Sequence, residues 1–380
     1  MTATAVPSLR DHLRVSLPRI APVLLSPTAA ERVARCSDAF PPAACMVECH
    51  LGVDEPRADF LIRFLRSEAA ALTGADGSRP PVPTEAAPAT WARLRDFARR
   101  WAAPDSPLAA FAQTWLEFDL LRPHAGAALP APSFFADLDP VTVDSVDPAA
   151  TAAAALAVLG DGGADPAVLA TIAKCVTELP PGARWLSLGV MSGRPADPVR
   201  VCVADLPAIE VPAYLERIGW TGSAAQLHAI RGGLDGFTTL ATLALDVETS
   251  VRPRLGIEYN LEARRSLHDS AARWRPFLDR LVEDGLCARH KRDPLLACIG
   301  FDHERIDQES WPADLRAASD RHGPNVLSVL LRKLAHIKVV FEPGRPVAAK
   351  AYLELTHDWL TFDPGTRQAR FTTFPDGTGA

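Results

Sequence analysis

One pattern restricts the fold of this chain more than any other: short runs in which apolar and charged residues alternate, set in pairs across turn-forming segments. In 339–355, VVFEPGRPVAAKAYLEL, two such runs flank a Pro-Gly tip, and Lys350, Tyr352 and Glu354 fall on one side of the second. Strand side chains point alternately to opposite faces, so a period of two predicts a hairpin with one apolar and one polar face. Five hairpins read this way: 44–52 with 58–65, 114–121 with 132–138, 184–191 with 199–206, 240–248 with 254–263, and 336–342 with 347–355. Parity puts Val47, Cys49, Leu116, Phe118, Val201, Val203, Leu243, Leu245, Ile257, Val339, Ala351 and Leu353 on the apolar face. The opposite face carries Glu48, His50, Arg63, Glu117, Asp119, Arg200, Asp246, Glu248, Arg254, Glu258, His336, Lys338, Lys350, Tyr352 and Glu354.

Between the hairpins the apolar period becomes helical, with N-terminal signals where helices should start. Ser26-Pro27 opens 27–38, Thr90 opens WARLRDFARRW, Asp165-Pro166 opens AVLATIAKCVTEL, and Ser223 opens AAQLHAIRGGL. Further helices are predicted at 211–218, 271–284, 312–321 and 324–334. The repeating unit is αββα, five times over, a repeat of elements without repeat of sequence. Residues 1–362 are expected to form a single domain, with 73–89 a surface loop, 122–131 a second loop, and 363–380 a flexible C-terminal tail.

Ten strands with helices against one side can stay an open sheet with water on the polar face. Closure removes both edges and turns the polar face into a lumen. The expected fold class is therefore α+β: a ten-stranded antiparallel barrel of five αββα units with a polar lumen and an outer ring of helices.

The remaining sequence features narrow the function by exclusion. With 48% hydrophobic and 23% charged residues, net charge −6 and pI near 5.9, the chain has no basic field for nucleic acid or an anionic membrane. No signal peptide or membrane span is legible, and the expected location is the cytoplasm. Seven cysteines, an odd number spread along the chain, suit reduced buried thiols, and Cys45, Cys49 and His50 lack a second ligand pair at zinc spacing. P-loop, G-x-G-x-x-G, H-E-x-x-H, G-x-S-x-G and D-D-x-x-D motifs are all missing.

The arrangement resembles the ABBA, or PT-barrel, fold of aromatic prenyltransferases, in which five αββα units surround a solvent-filled ten-stranded barrel. The resemblance spans almost the whole chain by element order and facing, and one local match adds to it. Lys350-Ala351-Tyr352 is similar to the Lys-x-Tyr strands with which the fungal indole members hold the prenyl diphosphate. Glu117 in WLEFDL and Glu258 in GIEYNLE look like the inward glutamate those enzymes set against the aromatic acceptor. Family members usually shield the allyl cation with several inward tyrosines, whereas parity sends only Tyr352 of this chain's three tyrosines inward.

What the resemblance implies is prenyl transfer from an allylic diphosphate to an aromatic small molecule or a peptide side chain, in natural-product biosynthesis. Ionisation of the donor needs converging cations, and Arg63, Arg200, Arg254, Lys338 and Lys350 are the expected substrate-binding set. Glu117, Glu258 and Tyr352 are the expected catalytic residues, a glutamate taking the acceptor's proton. The alternative is a barrel that binds a peptide or partner biosynthetic protein, or performs lyase- or cyclase-type chemistry, during maturation of a ribosomally made peptide, without prenyl transfer. No metal or other cofactor is expected, because Asp246 and Glu248 alone supply too few ligands for Mg²⁺. In an empty barrel Lys350 is expected to pair with Glu354 or Glu258, or to stay in water.

Overall fold

Each alternating run becomes a strand, in a computed structural model that describes residues 7–75, 88–120, 129–160, 163–192, 198–261, 269–306, 308–366 and 368–372. The strands are β1 (Cys45–His50), β2 (Ala58–Leu65), β3 (Phe111–Phe118), β4 (Ser133–Leu138), β5 (Arg184–Val190), β6 (Val199–Pro207), β7 (Leu240–Val247), β8 (Val251–Tyr259), β9 (Gly300–His303), β10 (Val326–Phe341), β11 (Ala348–Asp363) and β12 (Gln368–Thr372). Strands β1 to β8 pair in consecutive antiparallel order, β8 pairs with β10, β10 with β11, and β11 returns to β1. The result is a closed ten-stranded barrel. Glu48 stands opposite Tyr352 where β1 meets β11, and Glu258 opposite Lys338 where β8 meets β10, so closure itself brings distant charges together.

Helices α1 (Leu9–Ser16), α2 (Pro27–Ser37), α3 (Ala69–Thr73), α4 (Pro88–Ala102), α5 (Pro148–Leu159), α6 (Pro166–Thr177), α7 (Val211–Ile218), α8 (Ala224–Arg231), α9 (Ser270–Glu283), α10 (Arg289–Cys298) and α11 (Ala313–His322) accompany the sheet. Several begin as the sequence requires. The side chains of Ser26, Asp147, Asp165 and Ser223 each accept a first-turn backbone N–H, and a proline follows in the first three. The apolar strand face packs against the helices: Trp91, Phe97 and Trp101 of α4 meet Phe40, Phe111, Phe118 and Phe134. Cys45 and Cys49 point into this core while His50 points to the lumen, so the three form no common site.

Two expectations change. The segment predicted as a helix at 324–334 is the first part of β10, because β9 and β11 flank it and supply hydrogen-bond partners on both sides. The segment after 363 contributes β12, which pairs Gln368–Thr372 with the end of β11 across a turn where Asp363 accepts the Gly365 N–H at 2.8 Å. Residues 373–380, like 76–87 of the first expected loop, 122–128 of the second and residue 121 before it, lie outside the described residues.

Strands β10 and β11 therefore outrun the barrel. Beyond its rim they join β9 and β12 in a four-stranded annexe against which α1 and α11 lie. Four register shifts fall at this same rim, between Phe111 and Gln113, Trp185 and Ser187, Val203 and Leu206, and Leu334 and His336, and a fifth, between Leu245 and Val247, lies at the other end. A β-bulge bends its strand and re-aims side chains, and here bulges line the barrel's open end.

Candidate active site in the barrel lumen

The lumen divides along its axis. In the half away from the annexe, charges meet in matched groups. Arg200 Nε donates to Asp246 Oδ1 at 2.8 Å and Arg254 reaches the same carboxylate at 3.5 Å; at the boundary with the other half, Lys338 Nζ donates to Glu258 Oε1 at 2.8 Å. Glu48, 1% exposed, accepts from Lys350 Nζ on one oxygen and from the Tyr352 hydroxyl on the other. His50 Nε2 lies 3.6 Å from both Glu48 and Asp59.

The acid strengths follow from these contacts. Burial pushes the Glu48 carboxyl up, but the Lys350 and His50 charges and the hydrogen bonds from Lys350 and Tyr352 outweigh it and hold Glu48 well below the usual carboxylate range. Asp246 and Glu258 are likewise lowered: Arg200 and Arg254 overcome burial at the first, Lys338 and His336 at the second. Asp59 differs, since burial dominates and raises it to about 6.

The half next to the annexe is open: a cavity of about 720 Å³ bordered by Trp115, Phe135, His336 and Tyr352, by the carboxylates Glu117, Asp137, Asp205 and Glu258, and by Gln113, Arg184 and Lys338. Bulge residues Leu186, Ala204, Asp205 and Ala335 contribute to its wall. Asp205 takes the left-handed backbone conformation, φ 57°, and its carboxylate accepts from Arg184 Nε at 2.7 Å. The His336 ring stacks on Tyr352 with centroids 4.1 Å apart, and burial lowers its pKa and favours the neutral imidazole. Asp137 Oδ2 accepts from Gln113 Nε2 at 2.7 Å and Trp115 Nε1 at 3.1 Å, and burial raises this carboxyl to about 6.

Two glycines shape the wall. A Cβ on Gly189 would lie 2.6 Å from Phe135 Cε1, and one on Gly256 would lie 2.5 Å from Lys338 Cε. Phe135 and Lys338 therefore lie flat across backbone that only glycine leaves uncovered.

Of the residues singled out from sequence, Glu117, Glu258, Tyr352 and Lys338 border the cavity. Arg200, Arg254 and Lys350 belong to the ion-paired half. Arg63, half-buried and opposite Trp115 in the β2–β3 register, is not among the residues bordering the cavity. The partner of Lys350 is Glu48, not Glu354 or Glu258, because the β1–β11 seam puts Glu48 beside it. Sequence reasoning passed over Asp59, Gln113, Trp115, Phe135 and Asp137, which share the inward parity of Arg63, Glu117 and Ser133. The signal was present in the parity, and a search for converging cations did not use it.

Among the described residues, Glu48, His50 and Asp59 form a group with ligand atoms within 4.8 Å of one another. A divalent cation there would have to displace Lys350 and Tyr352 from Glu48. Asp246 and Glu248 do not converge on a shared site: the first faces Arg200 and Arg254, the second Arg252 at 3.1 Å. A smaller cavity of about 310 Å³ outside the barrel is bordered by Leu9, Leu13, Leu315, Leu330 and Leu355 together with Glu68, Arg321 and His357, and by His12 paired to Asp314 at 3.0 Å. The dense convergence of charge lies in the lumen, which makes the lumen the candidate site.

No family model matches the sequence, and no curated protein matches it. Solved structures do. Prenyltransferase PriB in its apo form superposes with a TM-score of 0.52 at 16% identity, over 91% of this chain and 95% of that one. The PriB binary complex with product diphosphate gives 0.51 at 17% identity over 91% and 95%. A third structure, 5-dimethylallyltryptophan synthase from Streptomyces coelicolor, gives 0.49 at 16% identity over 92% and 97%. With the closed ten-stranded barrel, the PriB likeness establishes the PT-barrel fold.

Proposed function

We propose that this PT barrel transfers a prenyl group from an allylic diphosphate to an aromatic acceptor. The observation that carries the reading is Arg200, which stands behind the cavity wall, near enough to the cavity carboxylates Glu117 and Glu258 for their charges to act on it. Its side chain is 4% exposed, Nε is held by Asp246, and Nη2 has no hydrogen-bond acceptor among the described residues. A buried guanidinium with a spare donor is a recognition element for a multivalent oxyanion. Lys338, which borders the cavity, supplies the second cation.

In the proposed step the diphosphate takes Lys338 and Arg200 as partners, and the bond from the allylic carbon to oxygen breaks with the electron pair leaving on pyrophosphate. The acceptor ring attacks that carbon, and its displaced proton passes to Glu258, freed from Lys338, or to Glu117. Trp115, Phe135 and Tyr352 border the space in which the allyl cation would form, and these rings stand in for part of the tyrosine shield missing from the sequence. The prenyl-transfer names of the PriB structures support the same direction.

Titration calorimetry with inorganic pyrophosphate tests the reading. Binding is expected at micromolar to low millimolar concentration, at least tenfold weaker in Lys338→Met and Arg200→Met, and unaltered by EDTA. Incubation with dimethylallyl diphosphate and aromatic acceptors should add the mass of one prenyl unit. No pyrophosphate binding at ten millimolar removes the reading.

One observation favours a second reading. Arg200, Arg254, Lys338 and Lys350 each already have a carboxylate partner, so a diphosphate must compete with Asp246, Glu258 and Glu48. A barrel that holds an organic ligand or peptide without ionising a diphosphate needs no such exchange. It is distinguished by ligand binding with no response to pyrophosphate.

A further inference from the structure

We propose that the cavity selects an organic cation, an aromatic molecule bearing a protonated amine, with Asp137 as its counter-ion and its ring among Trp115, Phe135 and Tyr352. The inference rests on the cavity being the acceptor site, as in the proposed function, but not on prenyl chemistry. Its basis is the distribution of charge around the cavity. Lys338 is matched by Glu258 at 2.8 Å and Arg184 by Asp205 at 2.7 Å. Asp137 has no such match: its hydrogen bonds come from the neutral Gln113 amide and Trp115 indole, both to Oδ2. Among the described residues Asp137 takes part in no ion pair, and Oδ1 accepts no hydrogen bond.

Asp137 is half-buried at the cavity wall, so its carboxylate is only partly hydrated, and a ligand ammonium at Oδ1 supplies the counter-ion that the wall does not. The surrounding rings add to the selection, because the faces of Trp, Phe and Tyr attract a cation and offer an anion nothing. An acceptor carboxylate placed there would instead face the like charge of Asp137, while the cations of the same wall, Lys338 and Arg184, are already held by Glu258 and Asp205. The volume of about 720 Å³ holds a bicyclic aromatic amine with room beside it for a second substrate.

The test compares three probes of one shape at pH 7.5: tryptamine, tryptophol and indole-3-propionate, binding followed by calorimetry. Tryptamine is expected to bind at least tenfold more tightly than tryptophol, and indole-3-propionate more weakly than either. In Asp137→Asn, which keeps an oxygen for Gln113 and Trp115, the amine and the alcohol should bind within threefold of each other. Equal affinity for amine and alcohol in the native protein, a preference that survives Asp137→Asn, or no tryptamine binding at millimolar concentration would each overturn the inference. Pyrophosphate titration on the same samples separates the two ideas. Amine selection without pyrophosphate binding keeps this inference and removes prenyl transfer, and the reverse outcome does the opposite.

Discussion

The same ten strands build both halves of the lumen, yet one half is filled with paired charges and the other holds a cavity. In the filled half the register shifts once, beside Asp246 in β7, and Glu48, Arg200 and Asp246 are all at least 94% buried. In the open half the register shifts in β3, β5, β6 and β10, Trp115, Phe135, His336 and Tyr352 border the cavity, and Asp137 has no cationic partner among the described residues. The difference teaches that alternation decides which side chains enter a lumen, whereas bulges and cross-barrel partners decide whether those side chains meet each other or a ligand.

The sharpest way to break the comparison is to unpair the filled half. Lys350→Ala would leave Glu48 buried with no ammonium beside it, and the expected loss is about 3–5 kcal/mol, seen as a fall of several degrees in Tm. The double variant Glu48→Gln with Lys350→Met removes both charges and should recover much of that loss. A melting temperature unchanged by Lys350→Ala would mean that Lys350 is a solvated, ligand-ready cation. Glu48 also sets an acid limb: its carboxyl is held low in the fold, so its contribution is present above the ordinary carboxylate pKa and disappears as pH falls through the folded value.

Filling the open half should cost less. Gly189→Ala drives a methyl against the Phe135 ring, which is rigid and packed, so the ring must swing into the cavity. The expected cost is about 1–3 kcal/mol together with a loss of aromatic-ligand affinity. Gly256→Ala meets the flexible end of Lys338 instead and should cost less than Gly189→Ala. If both variants melt alike, the wall does not distinguish a ring from an alkyl chain, and the contrast in rigidity fails.

How far the sequence carried the fold follows from the same contrast. Alternation is a local property, so the ten barrel strands, their facing and the closure were legible from runs such as CMVECH and KAYLEL. The annexe was not. LSVLLRKLA within β10 reads locally as a helix, and only β9 and β11 on either side make it a strand. In the site, parity gave the inward direction of Glu117, Glu258, Lys350 and Tyr352. It could not give the Lys350–Glu48 pairing, which depends on how β11 is registered against β1 across about 300 residues of chain.

A smaller effect separates Asp137 in the open half from its neighbours. Its folded pKa, about 6, lies above the ordinary value, so its contribution to stability is present below about pH 4 and is lost as pH rises towards 6. Trp115 and Gln113 donate to it, and the charged groups around it are Glu258, which adds to the rise, and Arg184, which opposes it. Urea denaturation of Asp137→Asn should therefore show a gain of about 1–2 kcal/mol over the native protein at pH 7.5, reduced by cavity water, and little difference at pH 4. A gain that is the same at both pH values would assign the effect to something other than the charge.

The smallest predicted effect concerns the bulge that holds the cavity mouth. Asp205 sits at φ 57°, where a residue with a Cβ is strained and glycine is not, and it spends its carboxylate on Arg184 in a pair whose side chains are 46% and 28% exposed. An ion pair so exposed contributes about 0–1 kcal/mol. Asp205→Gly loses the pair and the glycine adds unfolded-chain entropy, but the variant gains relief of the backbone, so its stability should stay within about 0.5 kcal/mol of native. Asp205→Ala loses the pair without that relief and should be about 1 kcal/mol less stable than the glycine variant. Urea denaturation of the two side by side reads the difference with the ion pair absent from both. If alanine and glycine are equally stable, position 205 is not left-handed in solution, β6 runs without its bulge there, and the open end loses one of the irregularities that distinguish it from the filled one.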